Sequence, residues 1–154
     1  KVSRTGAIIG AVAVVLADNV FNAPLGPEIE RFEADGGGRI LLSEVADPQR
    51  FGCPVLRDGR LLRIEEKPQN PGSSYAVTGI YLYDAIVFEV IAGLTPSARG
   101  ELEITDVNNE LLRRGLLRWG VLPGWWTDAG THETLELANR LVAQRSGGAE
   151  GRQS

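Results

Sequence analysis

A β-strand is predicted at Arg60-Leu-Leu-Arg-Ile-Glu-Glu-Lys-Pro68, directly after the hairpin signal Asp58-Gly59. Because Pro68 has no amide hydrogen to give to a sheet ladder, the strand should end there. The end would leave the carboxylate of Glu66 beside the ammonium group of Lys67. Ligands of open α/β sheets bind beyond the carboxyl ends of the strands, which makes this pair a candidate binding site for an anionic substrate. The alternative is a solvated surface ion pair worth well under ~1 kcal/mol.

Strands and helices alternate on both sides of this stretch. Residues 12–16 form a continuous apolar run, as expected of a central strand buried on both faces. Residues 124–130, an aromatic and glycine-containing segment, are expected to form a loop. Further strands are predicted at residues 39–45, 53–56, 75–83 and 116–122, and helices at 28–33, at 85–94, from Ile104 towards Gly115 and after the capping residue Thr131. This alternation predicts an α/β layer fold.

Length and composition narrow the class of protein. A chain of 154 residues is expected to form one domain with its own core. The formal net charge of −4 argues against a nucleic-acid platform, which is usually basic, but it allows one anionic small molecule held by local cations. A single cysteine and a single histidine exclude an internal disulfide and any site that needs two imidazoles.

Both residue counts suit a reducing cytoplasm. The apolar run that follows the first residues is too short to span a bilayer as a helix. Its β-branched residues favour a buried strand over a signal peptide. We therefore expect a cytoplasmic protein with no membrane partner.

Two carboxylates follow predicted strands at positions that a core does not explain. Asp18 comes directly after the run at 12–16, and Asp128 lies in the apolar setting of 124–130. Each has an ordinary explanation, an Asx turn or helix cap for Asp18 and a loop leading into a capped helix for Asp128. Converging on one cation, they would suit Mg²⁺, which takes one or two carboxylates plus substrate phosphates. On spacing alone, the prediction stops at an α/β domain with a candidate magnesium and phosphate site.

Six segments resemble those of a known family, in the family's order and at about its spacing. They are Val14-Val-Leu-Ala-Asp-Asn-Val-Phe21, Asp47-Pro-Gln-Arg-Phe-Gly52, Ile64-Glu-Glu-Lys-Pro68, Tyr75-Ala-Val-Thr-Gly-Ile-Tyr-Leu-Tyr-Asp84, Ser97-Ala-Arg-Gly-Glu-Leu-Glu-Ile-Thr-Asp-Val-Asn108 and Trp126-Thr-Asp-Ala-Gly-Thr-His132. The family is the sugar-phosphate nucleotidyltransferases, and the resemblance covers about residues 12–143. The combination is specific, although each motif alone is weak.

The resemblance implies a fold and a reaction. The fold is the three-layer, Rossmann-like α/β fold of nucleotide-diphospho-sugar transferases with a mixed central sheet, here a partial domain at residues 1–145 followed by a disordered polar tail at 146–154. The reaction transfers a thymidylyl group from dTTP to glucose 1-phosphate and yields dTDP-glucose and pyrophosphate. Such chemistry needs positioning and charge neutralisation more than a protein nucleophile. Full-length members of the family are usually homo-oligomers.

The matched motifs also imply roles for individual residues. Asp18 and Asp128 resemble the magnesium ligands, and together with Lys67 they resemble the catalytic set. Lys67 is expected to face the sugar phosphate. The other residues implied in substrate binding are Gly52 and Glu66 at the sugar, Val77, Thr78 and Gly79 through their backbone, and Glu101 in the sugar pocket. For Glu101, an acidic residue at the start of a helix is the ordinary explanation.

One part of the family's pattern has no match in this chain. In the family, a glycine-rich loop and a lysine that hold the triphosphate precede the metal aspartate, and Ala17 replaces the glycine usual before that aspartate. The sequence therefore predicts an N-terminally truncated domain that keeps the sugar-binding side of the site. Two alternatives remain open: a module that binds a sugar phosphate or nucleotide sugar without transfer, and an inactive fragment that needs a partner.

Overall fold

Strands and helices alternate along the computed structural model, which describes residues 10–96, 100 and 102–147. In chain order the elements are β1 (Ala11–Val15), β2 (Asn19–Phe21), α1 (Gly26–Asp35), β3 (Gly38–Glu44), a 3₁₀ turn (Pro48–Arg50), β4 (Gly52–Arg57), β5 (Arg60–Glu66), β6 (Tyr75–Asp84), α2 (Ile86–Gly93), α3 (Ile104–Arg113), β7 (Leu117–Val121), β8 (Trp126–Asp128) and α4 (His132–Gly147). None of these helices is both long and apolar enough to cross a bilayer.

The central sheet has four strands in the order β1-β6-β3-β7. β6 pairs antiparallel with β1 and with β3, whereas β3 and β7 run parallel. The sheet is therefore mixed, as predicted. Two smaller pairings lie outside it: the antiparallel pair β2–β8 and the hairpin β4–β5.

Apolar side chains cover both faces of the central sheet. Since successive residues of a strand point to opposite faces, Ile40 and Leu42 of β3 join one cluster and Leu41 joins the other. The first cluster contains residues of α2, α3 and the hairpin, and the second contains Trp126 of β8. Layers on both faces of the sheet agree with the predicted three-layer architecture.

The prediction of a doubly buried central strand at residues 12–16 is wrong. In the described part of the chain, β1 lies at an edge of the sheet and pairs with β6 alone. Val14, Val15 and Leu16 are 36%, 47% and 45% exposed. An apolar, β-branched run indicates that a strand forms, but it carries no information on how many neighbours the strand has.

The strand that begins at Arg60 is present, but its setting differs from the prediction. β5 belongs to a hairpin and not to the open sheet, so Glu66 does not lie at a strand end of the open sheet. The turn residues Asp58 and Gly59 both have positive φ, as a tight hairpin turn requires. Asn109 of α3 holds the hairpin through two bonds of 2.8 Å, accepting from the Ile64 amide and donating to the Ile64 carbonyl.

Two further segments differ from the predictions. Residues 124–130 do not form only a loop, because β8 lies within them and pairs with β2. Both strands are three residues long, too short for a periodic pattern to be seen in the sequence. Helix α4 continues to Gly147, so the predicted disordered tail does not begin at Ser146; residues 148–154 lie outside the described part.

A buried ion pair connects α1 with the sheet. The Nε atom of Arg39, on β3, donates to Oε2 of Glu28 at 2.6 Å, and both side chains are less than a tenth exposed. Glu28 also pairs with Arg31, and Arg39 lies 3.5 Å from Asp35. Charges removed from water need such partners, so the pair fixes the helix against this part of the sheet.

Replacing Glu28 with alanine should lower the free energy of unfolding by about 3 kcal/mol, because Arg39 would keep a buried charge without its nearest partner. Urea unfolding followed by circular dichroism measures the change. Glu30→Ala removes an exposed carboxylate from the same helix and should change the free energy by less than ~0.5 kcal/mol. Equal losses in the two variants would contradict the importance of the buried pair.

Candidate active site

A cavity of about 280 Å³ lies between the β2–β8 pair and the end of the β4–β5 hairpin. Seven of the residues implied by the motifs line it: Asp18, Gly52, Glu66, Lys67, Val77, Gly79 and Asp128. Its other lining residues are Leu16, Asn19, Arg50, Phe51, Tyr81, Ile104, Thr105, Asn108 and Trp126. Thr78 does not line the cavity, and Glu101 lies outside the described residues. The structure thus brings together segments that are far apart in the chain.

Asp18 and Asp128 meet because β2 pairs with β8. Asp128 lies directly opposite Asn19 in this pair, and the Ala129 amide donates to the Asp18 carbonyl at 2.6 Å. The carboxylate oxygens of both residues lie close to Gly130: a β-carbon built there would be 3.3 Å from Oδ2 of Asp128 and 3.8 Å from Oδ2 of Asp18. A glycine at this position therefore leaves the space between the two carboxylates open.

This donor set fits a magnesium ion that shares its coordination with a ligand. Among the described residues, no group of three or more histidine, cysteine, aspartate or glutamate side chains could hold a metal by itself. Mg²⁺ does not need such a group, because it commonly takes one or two carboxylates, several waters and phosphate oxygens. Asp128 also has a protein cation nearby, since Nη2 of Arg50 lies 3.5 Å from its Oδ2 atom.

Glu66 is held in place by a threonine that the sequence reasoning missed. The hydroxyl of Thr105 donates to Oε2 of Glu66 at 2.7 Å. Gly52 lies opposite Glu66 in the hairpin, and a β-carbon on Gly52 would come within 3.6 Å of that same oxygen. Thr105 therefore fixes one carboxylate oxygen of Glu66, and the glycine at position 52 leaves room beside it. A fixed acceptor of this kind suits the hydroxyl group of a sugar.

Lys67 has an unusual backbone. Its φ is +44°, in the left-handed region that residues with a side chain rarely adopt. The amide of Lys67 donates to the carbonyl of Phe51 at 3.0 Å, which holds this conformation. The side chain is 61% exposed, and its Nζ atom is 3.9 Å from Oε1 of Glu66. The loose pair is compatible with the surface ion pair considered above, and it also leaves the ammonium group accessible to a phosphate.

Within the segment Val77–Gly79, the outer two residues line the cavity and Thr78 does not. The side chain of Thr78 is fully buried and donates to the Leu41 carbonyl at 2.9 Å, so it is directed away. The backbone of Gly79 is in use, because its amide donates to Asn19 and its carbonyl accepts from the Leu16 amide. Val77 also lines the cavity, next to a register shift in the pairing of β6 with β3 that falls between Val77 and Tyr81. Because the Gly79 backbone is engaged and Thr78 does not line the cavity, Val77 is the residue of this segment that remains a candidate for a backbone contact to a ligand.

Three other lining residues lie in segments that resemble the family. Trp126, Thr105 and Asn108 all lie within quoted motifs, yet no role was assigned to them. Trp126 packs edge-on against Phe51, with ring centroids 5.3 Å apart. Asn108 is buried and accepts from the Tyr83 hydroxyl at 2.6 Å. Thr105 and Asn108 are spaced so that both lie on the buried side of α3. A polar residue at such a position is the feature that identifies them.

Tyr81 forms part of the cavity wall and stacks on Tyr83. Burial raises the pKa of Tyr81 from 10 to about 12, and the carboxylates of Glu66 and Asp18 add to the rise. Burial also raises the pKa of Tyr83. The cause in both cases is the same: a phenolate removed from water and placed near negative charge is unfavourable.

Known proteins with similar sequences are nucleotidyltransferases. A family model described as nucleotidyl transferase matches residues 3–145, which begins earlier than the resemblance at residue 12. A glucose-1-phosphate thymidylyltransferase of Mycobacterium tuberculosis is 46% identical over 133 residues, covering 82% of this chain and 46% of the relative. The enzyme of the same name from Mycolicibacterium smegmatis is 44% identical over 135 residues, covering 85% and 47%. The chain therefore spans about half the length of the curated relatives it matches.

Solved structures agree with the sequences. A Bacillus anthracis protein assigned as a glucose-1-phosphate thymidylyltransferase, solved with sucrose, superposes with a TM-score of 0.81 at 52% identity, covering 85% of this chain and 54% of that one. A UDP-glucose pyrophosphorylase solved with UDP-glucose has a TM-score of 0.76 at 22% identity, covering 88% and 57%. The second likeness concerns the fold alone. Together they confirm the predicted nucleotide-diphospho-sugar transferase fold.

Stability should fall as the pH rises from about 10 to 12. In the unfolded chain Tyr81 ionises near its ordinary pKa of about 10, whereas in the folded chain its pKa is about 12, so the unfolded state loses its proton first. Tyr81→Phe should remove about 2–3 kcal/mol of this alkaline loss. Urea unfolding at several pH values measures it. The free energies of unfolding of the parent and of Tyr81→Phe should run parallel below pH 9. An equally steep fall in both proteins above pH 10 would contradict the raised pKa of Tyr81.

Proposed function

The chain belongs to the nucleotidyl transferase family, and from this membership we propose that its cavity is the sugar-phosphate side of a glucose-1-phosphate thymidylyltransferase site. The proposed reaction joins dTTP and glucose 1-phosphate into dTDP-glucose and releases pyrophosphate. The observation that carries the proposal is the convergence of Asp18 and Asp128 with the Glu66–Lys67 pair in one cavity. The relatives of that name support it, since their similarity covers most of this chain.

In the proposed reaction the protein itself forms no covalent bond to a substrate. A phosphate oxygen of glucose 1-phosphate attacks the α-phosphorus of dTTP in line, a new P–O bond forms, and the bond to the β-phosphate breaks as pyrophosphate leaves. Positioning of the two anions and neutralisation of their charge supply most of the acceleration. The electrons of the broken bond leave with the pyrophosphate oxygen, and since the sugar phosphate is itself the nucleophile, no protein nucleophile is required.

The proposal assigns roles to individual residues. Lys67 provides a point charge for the sugar phosphate, and Glu66, held by Thr105, accepts from a sugar hydroxyl. Asp18 and Asp128 would hold Mg²⁺, which when bound neutralises phosphate charge at the reacting end. Val77 offers its backbone to the ligand. Glu101 is proposed as a sugar contact from its motif alone.

A second candidate is binding without transfer. Within the described part of the chain, the cations that line the cavity are Arg50 and Lys67. Arg50 is already engaged, since its Nη1 atom donates to Asp47 at 2.8 Å and its Nη2 atom lies near Asp128. One accessible ammonium group suits a phosphate monoester better than a triphosphate.

Pyrophosphate release separates the two candidates. The chain is incubated with dTTP, glucose 1-phosphate and Mg²⁺, and pyrophosphate is measured against mixtures that lack one component. Release that needs all three components supports transfer. No release, together with calorimetric binding of dTDP-glucose or glucose 1-phosphate, supports binding without transfer. Neither release nor binding would contradict both.

Lys67→Ala should weaken the binding of glucose 1-phosphate on the order of tenfold to a hundredfold, because a charge-assisted contact to the phosphate is lost. Titration calorimetry measures the dissociation constant. Arg57→Ala removes an exposed positive charge at the other end of the hairpin and should change it less than about twofold. If both variants weaken binding equally, general charge attraction and not a contact at Lys67 is responsible.

Gly130→Ala should weaken divalent-cation binding on the order of tenfold, since its β-carbon would lie 3.3 Å from Oδ2 of Asp128 and between the carboxylates. Mn²⁺ titration followed by electron paramagnetic resonance measures the free ion. Gly72→Ala is the matched control, because its β-carbon would meet no atom within 4 Å. Unchanged Mn²⁺ affinity in Gly130→Ala would place the cation elsewhere.

Three other expectations stay predictions from the sequence. They are a cytoplasmic location, a homo-oligomeric assembly, and partners limited to small molecules, with no nucleic acid and no membrane.

A further inference from the structure

The side chain of Asn19 contacts three parts of the cavity at once. Its Nδ2 atom donates to Oδ1 of Asp18 at 2.8 Å. Its Oδ1 atom accepts from the Gly79 amide at 2.8 Å and from Nε1 of the Trp126 indole at 2.6 Å. We propose that Asn19 is a positioning residue that holds the Asp18 carboxylate and the Trp126 indole in fixed places across the cavity. Its effect on metal binding rests on the proposed function, whereas its hydrogen bonds do not.

The donors around Asn19 allow only one orientation of its carboxamide. The Gly79 amide and the Trp126 indole are both N–H donors, so only the oxygen of Asn19 can face them. The two bonds use both lone pairs of that oxygen. The NH₂ group must then point towards Asp18, where the carboxylate accepts. The Asn19 side chain therefore fixes the Asp18 carboxylate relative to Gly79 of β6 and Trp126 of β8.

The surrounding space is shaped for this side chain. A β-carbon on Gly79 would overlap the Asn19 carboxamide, so a glycine is needed there. Asn19 also lies directly opposite Asp128 in the β2–β8 pair. It is thus next to one candidate metal ligand in sequence and opposite the other in space. An aspartate at position 19 could accept both N–H groups but would place a second carboxylate beside Asp18.

Hydrogen exchange tests the connection without any ligand. In the parent chain, nuclear magnetic resonance should find the Trp126 indole proton and the Gly79 amide proton protected. Asp18→Ala frees the NH₂ end of Asn19 and should speed exchange at the Trp126 indole on the order of fivefold, although Asp18 does not touch that ring. Glu66→Ala, which removes another carboxylate of the same cavity, should leave it unchanged. Equal exchange in the parent and Asp18→Ala would overturn the proposal.

Two substitutions of Asn19 separate its bonds. Asn19→Ala should remove protection at both protons. In an Asp18→Ala background, where no second carboxylate lies beside position 19, Asn19→Asp should protect both protons better than Asn19→Ala does, because a carboxylate oxygen can accept both bonds. Asn22→Ala is the matched control: Asn22 follows β2 and accepts from the Trp125 amide at 2.9 Å. It should leave exchange at the Trp126 indole unchanged. Equal exchange in the two double variants would overturn the assigned bonds.

Mn²⁺ affinity then tests whether Asn19 acts through Asp18. Asn19→Ala should weaken Mn²⁺ binding on the order of tenfold, as loss of a partner behind a metal ligand does, whereas Asn22→Ala should change it less than about twofold. In an Asp18→Ala background, Asn19→Ala should have no further effect. A full additional loss there would overturn the action through Asp18. If the parent chain binds no Mn²⁺, the proposed metal site fails, and the exchange comparison alone decides for or against Asn19.

Discussion

The pairing of β2 with β8 is the constraint on which the cavity depends. It joins segments 107 residues apart, and without it Asp18 and Asp128 would have no reason to be close. A pair of three-residue strands is marginal by its backbone bonds alone. Side chains supply the rest: Trp126 is only 8% exposed in the second apolar cluster, and Asn19 accepts from its indole. The site is thus held by the same contacts that complete the core on that face.

The opposite wall is held from α3. Asn109 bonds both backbone groups of Ile64, and Thr105, one helical turn earlier, bonds the Glu66 carboxylate. The same helix faces the first apolar cluster with Val107 and Leu111. A rigid helix therefore fixes both the hairpin strand and the side chain at its end. The cavity lies between two walls, each fixed to the central sheet by its own apolar cluster.

Features set by neighbouring residues were predictable, and features set by distant ones were not. Asp58-Gly59 predicts its hairpin because turn conformation is local, and the spacing of Val107 and Leu111 predicts α3 because a helix repeats every few residues. The lone carboxylates at 18 and 128 stood out because a core does not explain them. The edge position of β1 and the pairing of β2 with β8 depend on which strands meet, and no local pattern encodes that. Asn19 was overlooked for the same reason, since two of its three partners are Gly79 and Trp126.

Charge in the cavity constrains how a ligand can enter. Three carboxylates line it in the described part of the chain, from Asp18, Glu66 and Asp128, against the cations Arg50 and Lys67. A phosphate ester entering alone would meet an excess of negative charge at the aspartate end, which is unfavourable at short range. A divalent cation held by the two aspartates would cancel their charge of about −2, and such an ion accepts phosphate oxygens as further ligands. Each would therefore increase the affinity for the other, by the same factor in both directions. Lys67 lines the same cavity beside Glu66, so a bound sugar phosphate would be attracted both by an exposed protein cation and by the metal.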